Sequence, residues 1–319
     1  MEDFLTQSVK SEELILFYNA ENFYFPVEKI SKDQKQSFTG LPNWTPKRFQ
    51  NKLFKIAHVF QLVKEQHEMP MLIGLSEIQG EKVLNELIKL DPFNDNFGIV
   101  HYESMDERGI DVALLYDKSK IEIIESEPIS FFFEIPDENP ENYDTTRDIL
   151  FCKTLYKNEI INVFVFHLPS KREKDVNKPK RDYIINSIRK KIHELSLKNE
   201  AIVLCGDFNE NPNEENLKNV ALDFQGNPML HNPFLELFQN RKFSTFHYQF
   251  GLLFDQILLS KEFFSENFPL RFSKAAIFNH EKLSNWDKKF KGRPFRTYAG
   301  TRYLGGYSDH FPVLVKLEK

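Results

Sequence analysis

One stretch constrains the fold more than any other: Ala201-Ile202-Val203-Leu204-Cys205-Gly206-Asp207-Phe208-Asn209-Glu210-Asn211-Pro212. Its apolar half, Ala201 to Cys205, reads as a buried strand, because it carries no polar stripe to present to water. The strand stops abruptly, since Asn211, Pro212 and Asn213 are turn formers. Side chains alternate faces along a strand, so Asp207 and Asn209, two residues apart, project the same way and bring a carboxylate and an amide together at its end. Turn chemistry alone also places Gly, Asp, Asn and Pro at such a position. The rest of the chain decides between a turn and a site.

With 319 residues, of which 41% are hydrophobic and 14% aromatic, the chain can bury a large core as one big domain or two small ones. Strands and helices intermingle without internal repeats or an evident linker, so a single domain spanning 1–319 is expected. No run approaches the roughly 20 apolar residues of a membrane helix, and Met1 to Lys10 lacks the pattern of a secretory signal. A chain without a membrane span, residing in the cytoplasm, is the expectation. Cys152 and Cys205 both sit in apolar runs, where an unpaired thiol behaves as a small hydrophobe, so neither a disulfide framework nor a zinc site follows.

Net charge is −5, which by itself argues against a nucleic-acid partner. Its distribution argues the other way. Lys171 to Asp182 carries a net +3 and Lys288 to Tyr303 a net +6, on an otherwise strongly acidic chain. Such runs are ordinarily solvated loops. Here both lie beside candidate site residues, and Phe290, Phe295, Tyr298 and Tyr303 interleave the second with rings able to stack bases.

Apolar strands recur, each ending in a polar residue. Leu14 to Tyr18 closes on Asn19, and Pro70 to Ser76 closes on Glu77. Arg108 to Tyr116 reads as a strand with an Arg-Gly turn at its head, and Ile121 to Phe133 and Asp148 to Leu155 as two more, with Arg147 at the mouth of the second. Ile160 to Phe166 leads into His167, Phe254 to Ser260 contains Asp255, and Asp309-His310 stands before the last strand. Thr45-Pro46 opens a helix whose stripe is Phe49, Leu53, Ile56, Phe60 and Val63. Further helices are expected over Glu81 to Leu90, Arg181 to Leu195 and Asn216 to Phe224. The result is an α/β chain with mixed sheets covered by helices, whose polar strand ends gather at one end.

That series of motifs resembles the endonuclease/exonuclease/phosphatase superfamily, deoxyribonuclease-I-like and exonuclease-III-like enzymes included. The matching pieces are YNAEN at 18–22, GLSEIQG at 74–80, RGIDVALLY at 108–116, TRDIL at 146–150, FHLPS at 166–170, GDFNENP at 206–212, FDQILLS at 254–260 and YSDHFPV at 307–313. Single pieces are weak, whereas the whole set in order is specific. The resemblance implies a four-layered α/β sandwich, two mixed sheets packed face to face with helices outside.

It also implies roles. Glu77 would be the principal metal ligand, supported by Asn19 and Asp309, for Mg²⁺ or in its place Mn²⁺ or Ca²⁺. His310, oriented by Asp255, would contact the scissile phosphate or take a proton from the attacking water. Asp207 and Asn209 would position that water. His167 would protonate the leaving oxygen, and Arg147 would grip the phosphate, with Lys171, Arg172, Arg293 and Arg296 as basic contacts on the substrate. Histidine at 167, where some members use tyrosine, favours the deoxyribonuclease-like branch over abasic-site repair. The expected activity is metal-dependent phosphodiester hydrolysis with a nucleic acid as substrate, DNA or RNA. A small or lipid phosphoester is the alternative, and a non-catalytic phosphate-binding module the remaining one.

Overall fold

The structure, a computed structural model, describes residues 12–26, 41–134, 143–171 and 174–319. Two six-stranded sheets form its centre. The first runs, edge to edge, Arg271–Ile277, Val313–Glu318, Glu12–Phe23, Leu72–Ile78, Asp111–Asp117, Phe97–His101. The second runs Leu230–His231, Asp255–Ser260, Ala201–Asp207, Glu159–His167, Ile149–Tyr156, Ile121–Ile129. Each sheet has one parallel pair among antiparallel ones: Glu12–Phe23 with Leu72–Ile78, and Glu159–His167 with Ala201–Asp207. Parallel neighbours need a crossover, and the helices Pro46–Gln66 and Lys178–Ser196 supply the two.

Strand periodicity explains the layering. Along the first strand Leu14, Leu16 and Tyr18 pack under the helices Pro46–Gln66 and Gly80–Ile88, whereas Ile15 and Phe17 enter the layer between the sheets. Along Ala201–Asp207, Val203 and Cys205 face that inner layer, and Ile202 and Leu204 face the helix Lys178–Ser196 through Ile184, Ile185 and Ile188. A helix layer, two sheets and a second helix layer result, which is the expected four-layered sandwich. The sheets approach so closely that a Cβ at Gly74 would lie 2.7 Å from Cys205 Sγ and 3.0 Å from a ring carbon of Phe17. Both cysteines are free and buried there.

The long helix starts as its sequence suggests, with Thr45 as cap and Pro46 first, and it buries Phe49, Leu53, Ile56, Phe60 and Val63. Three boundaries differ from expectation. The run Ile121 to Phe133 is not one strand: it breaks after Ile129, and Phe132–Glu134 pairs instead with Tyr143–Thr145. The helix expected over Asn216 to Phe224 covers only Glu215–Val220. The strand expected from Arg108 begins at Asp111, leaving Arg108 and Gly109 in a turn. Among the described residues no helix is long and apolar enough to cross a membrane.

Candidate active site

Four site side chains arrive by strand alternation alone. Asn19 continues the inward stripe of Ile15 and Phe17, His167 that of Val163 and Val165, and Asp207 that of Val203 and Cys205; Asp255 begins the stripe of Ile257 and Leu259. Polar groups thus take over the inner faces where the apolar stripes run out. Asp207 stands directly beside His167 on one neighbouring strand and beside Asp255 on the other. From the facing sheet, Asn19 Nδ2 donates to Asp207 Oδ2 at 3.0 Å.

Glu77 needs a different device. Its strand sends Ile73 and Leu75 outward under the helices, so regular alternation would send Glu77 there too. The pairing slips instead: Ser76 faces Val112 and Ile78 faces Asp111, leaving Glu77 as the extra residue of a bulge at φ +62°. Ile78 then returns to the outer core and Glu77 turns into the site. A left-handed glutamate costs about 1–2 kcal/mol, a strain typical of functional positions. The backbone N–H of Asn22 holds it, donating to Glu77 Oε2 at 2.7 Å.

These groups meet in a pocket of about 590 Å³. His167 Nε2 lies 3.9 Å from Glu77 Oε1 and 3.8 Å from Asp207 Oδ2. His310 Nε2 lies 3.9 Å from Asp207 Oδ2 on the other side, and its Nδ1 bonds to Asp255 Oδ2 at 2.7 Å. That same carboxylate oxygen accepts the Ser244 hydroxyl at 2.5 Å. Burial disfavours a His310 cation, yet Asp255, Asp207 and Asp309 around it outweigh burial and lift its pKa well above the usual value. Burial lifts Asp207 to about 6, with His310 pulling it back down. A cationic imidazole therefore stands beside a carboxyl group raised above its ordinary range.

The other expected residues divide. Asn209, Lys171, Arg296 and Asp309 line the pocket, while Asn19 and Asp255 stand just behind it. Asn209 has φ +50° and donates Nδ2 to the Leu168 carbonyl at 2.8 Å. Arg296 bonds Asp309 Oδ2 at 2.9 Å. Arg147, expected to grip phosphate, is committed elsewhere. It is buried, and it donates to the carbonyls of His167 and Leu168 and to Asp106 at 3.1, 3.2 and 3.1 Å, so it fastens the strand end that presents His167. Arg293 lies outside the pocket and stacks near Phe246 and Phe290. Arg172 lies outside the described residues. Of the interleaved rings, Tyr298 is buried and Phe295 packs on the outer core; neither faces the pocket.

Sequence reasoning missed Arg108, a pocket cation whose only signal was its place in the Arg-Gly turn, and Phe246 and Phe250, which enter from a short hairpin, Thr245–His247 with Phe250–Leu252. It also missed two buried charged residues, Glu21 and Lys52, which hold the same segment. Glu21 accepts the backbone N–H groups of Thr297 and Tyr298 at 2.6 and 3.2 Å, while Lys52 Nζ donates to Thr297 Oγ1 at 2.6 Å and to the Tyr307 carbonyl at 2.5 Å. Together they pin the segment that carries Arg296 and Asp309 into the pocket.

The donor set fits a hard divalent cation. Glu77 Oε1 and Asp207 Oδ2 converge on one point, 3.4 and 3.0 Å from Asn19 Nδ2, and among the described residues no Lys or Arg side chain pairs with either. Two carboxylates facing one another across the pocket can share a divalent cation, and oxygen donors suit Mg²⁺ or Mn²⁺. In this arrangement Asn19 presents its amide nitrogen, because its Oδ1 accepts the N–H of Glu21 at 2.9 Å. Asn19 thus orients the carboxylates, and supplying an oxygen would require its amide to turn. Asp255 and His310 also lie close to Asp207, but they are bonded to one another.

No curated protein sequence matches the chain. Among solved structures, D. rerio TDP2 complexed with single-strand DNA product is similar, with a TM-score of 0.60 at 16% identity, covering 97% of this chain and 100% of that one. A mannosyl-6-phosphatase of Bacteroides thetaiotaomicron is similar as well, with a TM-score of 0.58 at 16% identity, covering 96% and 100%. At such identities the likeness establishes the fold. The family itself is established by a match to the endonuclease/exonuclease/phosphatase family that runs over residues 14–319, and to that family of phosphoester hydrolases this chain belongs.

Proposed function

We propose that this phosphoester hydrolase is a divalent-cation-dependent phosphodiesterase acting on polynucleotides. The observation that carries the reading is the composition of the pocket: Glu77, Asp207, His167 and His310 share it with cations from three separate segments, Arg108, Lys171 and Arg296, each also paired with a carboxylate at Asp106, Glu214 and Asp309. Cations spread around a rim suit a chain of phosphates better than one terminal phosphate, and on a chain of net charge −5 they mark where a polyanion is steered. The likeness to D. rerio TDP2, whose complex holds single-strand DNA product, supports the same reading.

The residues divide the work by environment. A divalent cation held by Glu77, with Asp309 and Asn19 in support, would neutralise charge gathering on the phosphoryl oxygens. Asp207, between His167 and His310, is placed to orient the attacking water and to accept its proton. His310, kept cationic by Asp255, steadies the equatorial oxygens of the phosphate. His167, fixed from behind by Arg147 through its carbonyl, delivers a proton to the leaving oxygen. Asn209, held by the Leu168 carbonyl, keeps the turn after Asp207 in place.

The test is turnover of single-stranded DNA and RNA oligonucleotides and of a sugar phosphomonoester, in Mg²⁺ or Mn²⁺ and in excess chelator. Oligonucleotide cleavage that needs the cation and exceeds monoester hydrolysis is expected. Preference for the monoester would overturn the reading in favour of a phosphatase of small substrates, the activity carried by the name of the Bacteroides thetaiotaomicron neighbour.

A further inference from the structure

Beside the catalytic pocket lies a second cavity of about 470 Å³, which shares Phe246, His247, Arg296 and Asp309 with it and has Tyr248, Phe290 and Arg293 on its far side. We propose that this annex is a base-binding subsite, taking an unpaired nucleobase attached to the sugar next to the scissile phosphate. The inference rests on the polynucleotide reading above and narrows it to single-stranded substrate.

The annex is built at a fixed distance from the chemistry. Its hairpin, Thr245–His247 with Phe250–Leu252, is fastened to the loop of His310: Thr245 forms a bridge with His310, Thr245 Oγ1 donates to the Asp309 carbonyl at 2.8 Å, and Phe311 N–H donates to the Ser244 carbonyl at 2.7 Å. On the opposite wall Arg293 ties the two sides together. Its guanidinium lies 5.4 Å from the Phe246 ring and 5.6 Å from the Phe290 ring, and it donates to the Tyr248 carbonyl. Two rings of the annex stand exposed: Tyr248 is 80% exposed and Phe290 38%.

The lining selects among ligands. Aromatic faces with an arginine beside them stack any planar base regardless of sequence, and a base in a duplex already has both faces covered. A lipid chain would be poorly served by Arg293 and Arg296 in the wall. The shared wall formed by Arg296 and Asp309 leads from the annex to His310, so a base and its own phosphate occupy adjoining spaces.

The test compares single-stranded oligothymidylate with an abasic, tetrahydrofuran-linked oligomer of equal length, which keeps every phosphate and removes every base. Wild-type protein should prefer the base-bearing oligomer by roughly ten- to hundredfold in KM, the range of base–aromatic stacking. The Tyr248→Ala/Phe290→Ala double variant should lose most of that preference, with an unchanged melting temperature showing that it folds. An undiminished preference in the variant, or none in the wild type, overturns the subsite while leaving the polynucleotide reading intact. Cleavage of neither oligomer by a protein that hydrolyses a phosphomonoester overturns that reading, and the subsite with it.

Discussion

Replacing Lys52 with methionine isolates what the buried charges behind the pocket contribute. Lys52 is fully buried, and burial lowers its pKa to about 8 while Glu21 pulls it back up. Burial and Asp309 raise Glu21 to about 7, and Lys52 opposes that shift. Methionine keeps the length of the stem and removes the cation, leaving Glu21 against Asp309 with Arg296, whose Nε lies 3.8 Å from Glu21 Oε1, as its remaining cation. Removal of the cation nearest a buried carboxylate costs up to about 3–5 kcal/mol, which for a chain of 319 residues lowers the melting temperature by roughly 4–8 °C. The sign with pH is fixed. A carboxyl whose folded pKa lies near 7, above its ordinary 4.5, takes up a proton on folding, so its ionisation penalty is full above pH 7 and relieved as pH falls toward 4.5. That relief is worth about 3 kcal/mol. At pH 5.5 Glu21 is neutral in both proteins, and the wild type is left with a lone buried ammonium. The deficit of Lys52→Met should therefore be large at pH 7.5 and small or reversed at pH 5.5, measured by thermal unfolding followed by circular dichroism. Equal deficits at both pH values would show that the lysine acts only through the packing of its stem.

Three further outcomes follow from the site. Asp255→Asn should lower turnover by about 10²–10⁴. Because Asp255 is what lifts the His310 pKa, the cation is present below that pKa and lost above it, so the alkaline limb of the pH–rate profile should move to lower pH. Arg147→Met should lower the denaturant midpoint through three orphaned acceptors and leave KM for oligonucleotide nearly unchanged; a raised KM with intact stability would restore its role as a phosphate grip. His167→Ala should be far less harmful on a nitrophenyl phosphodiester than on an oligonucleotide, since a good leaving group needs no acid, and equal losses on both would remove His167 from that role.

Much of the fold was legible because buried strands announce themselves. Ala201 to Cys205 and Leu14 to Tyr18 have apolar residues on both faces, so the sheet centres could be found without knowing their partners. Edge elements were not legible in the same way. Phe97–His101 and Arg271–Ile277 are only half covered, mix polar with apolar residues, and resemble loops. In the site, Asp207, His167, Asp255 and Asn19 were readable from position, because each ends or begins an inward stripe. Glu77 was found at a strand end, although its direction depends on a bulge that no periodicity encodes. Arg147 shows the limit of such reading: its place at a strand mouth suggested a phosphate grip, while its three acceptors come from segments separated from it by 20 to 41 residues. Such partners are invisible until the chain has folded. The aromatic hairpin was missed for the same reason, since its neighbour is the His310 loop, 65 residues further along.

The central claim is that Glu77 anchors a divalent cation on which phosphodiester cleavage depends. It is tested most directly by titrating Mn²⁺ calorimetrically into wild-type protein and into Glu77→Gln, with oligonucleotide turnover measured on the same samples. Saturable binding in the wild type, its loss in the variant, and a fall in turnover of at least ~10²-fold with the folded state retained are the results predicted. Undiminished Mn²⁺ binding together with full turnover in Glu77→Gln would contradict the account.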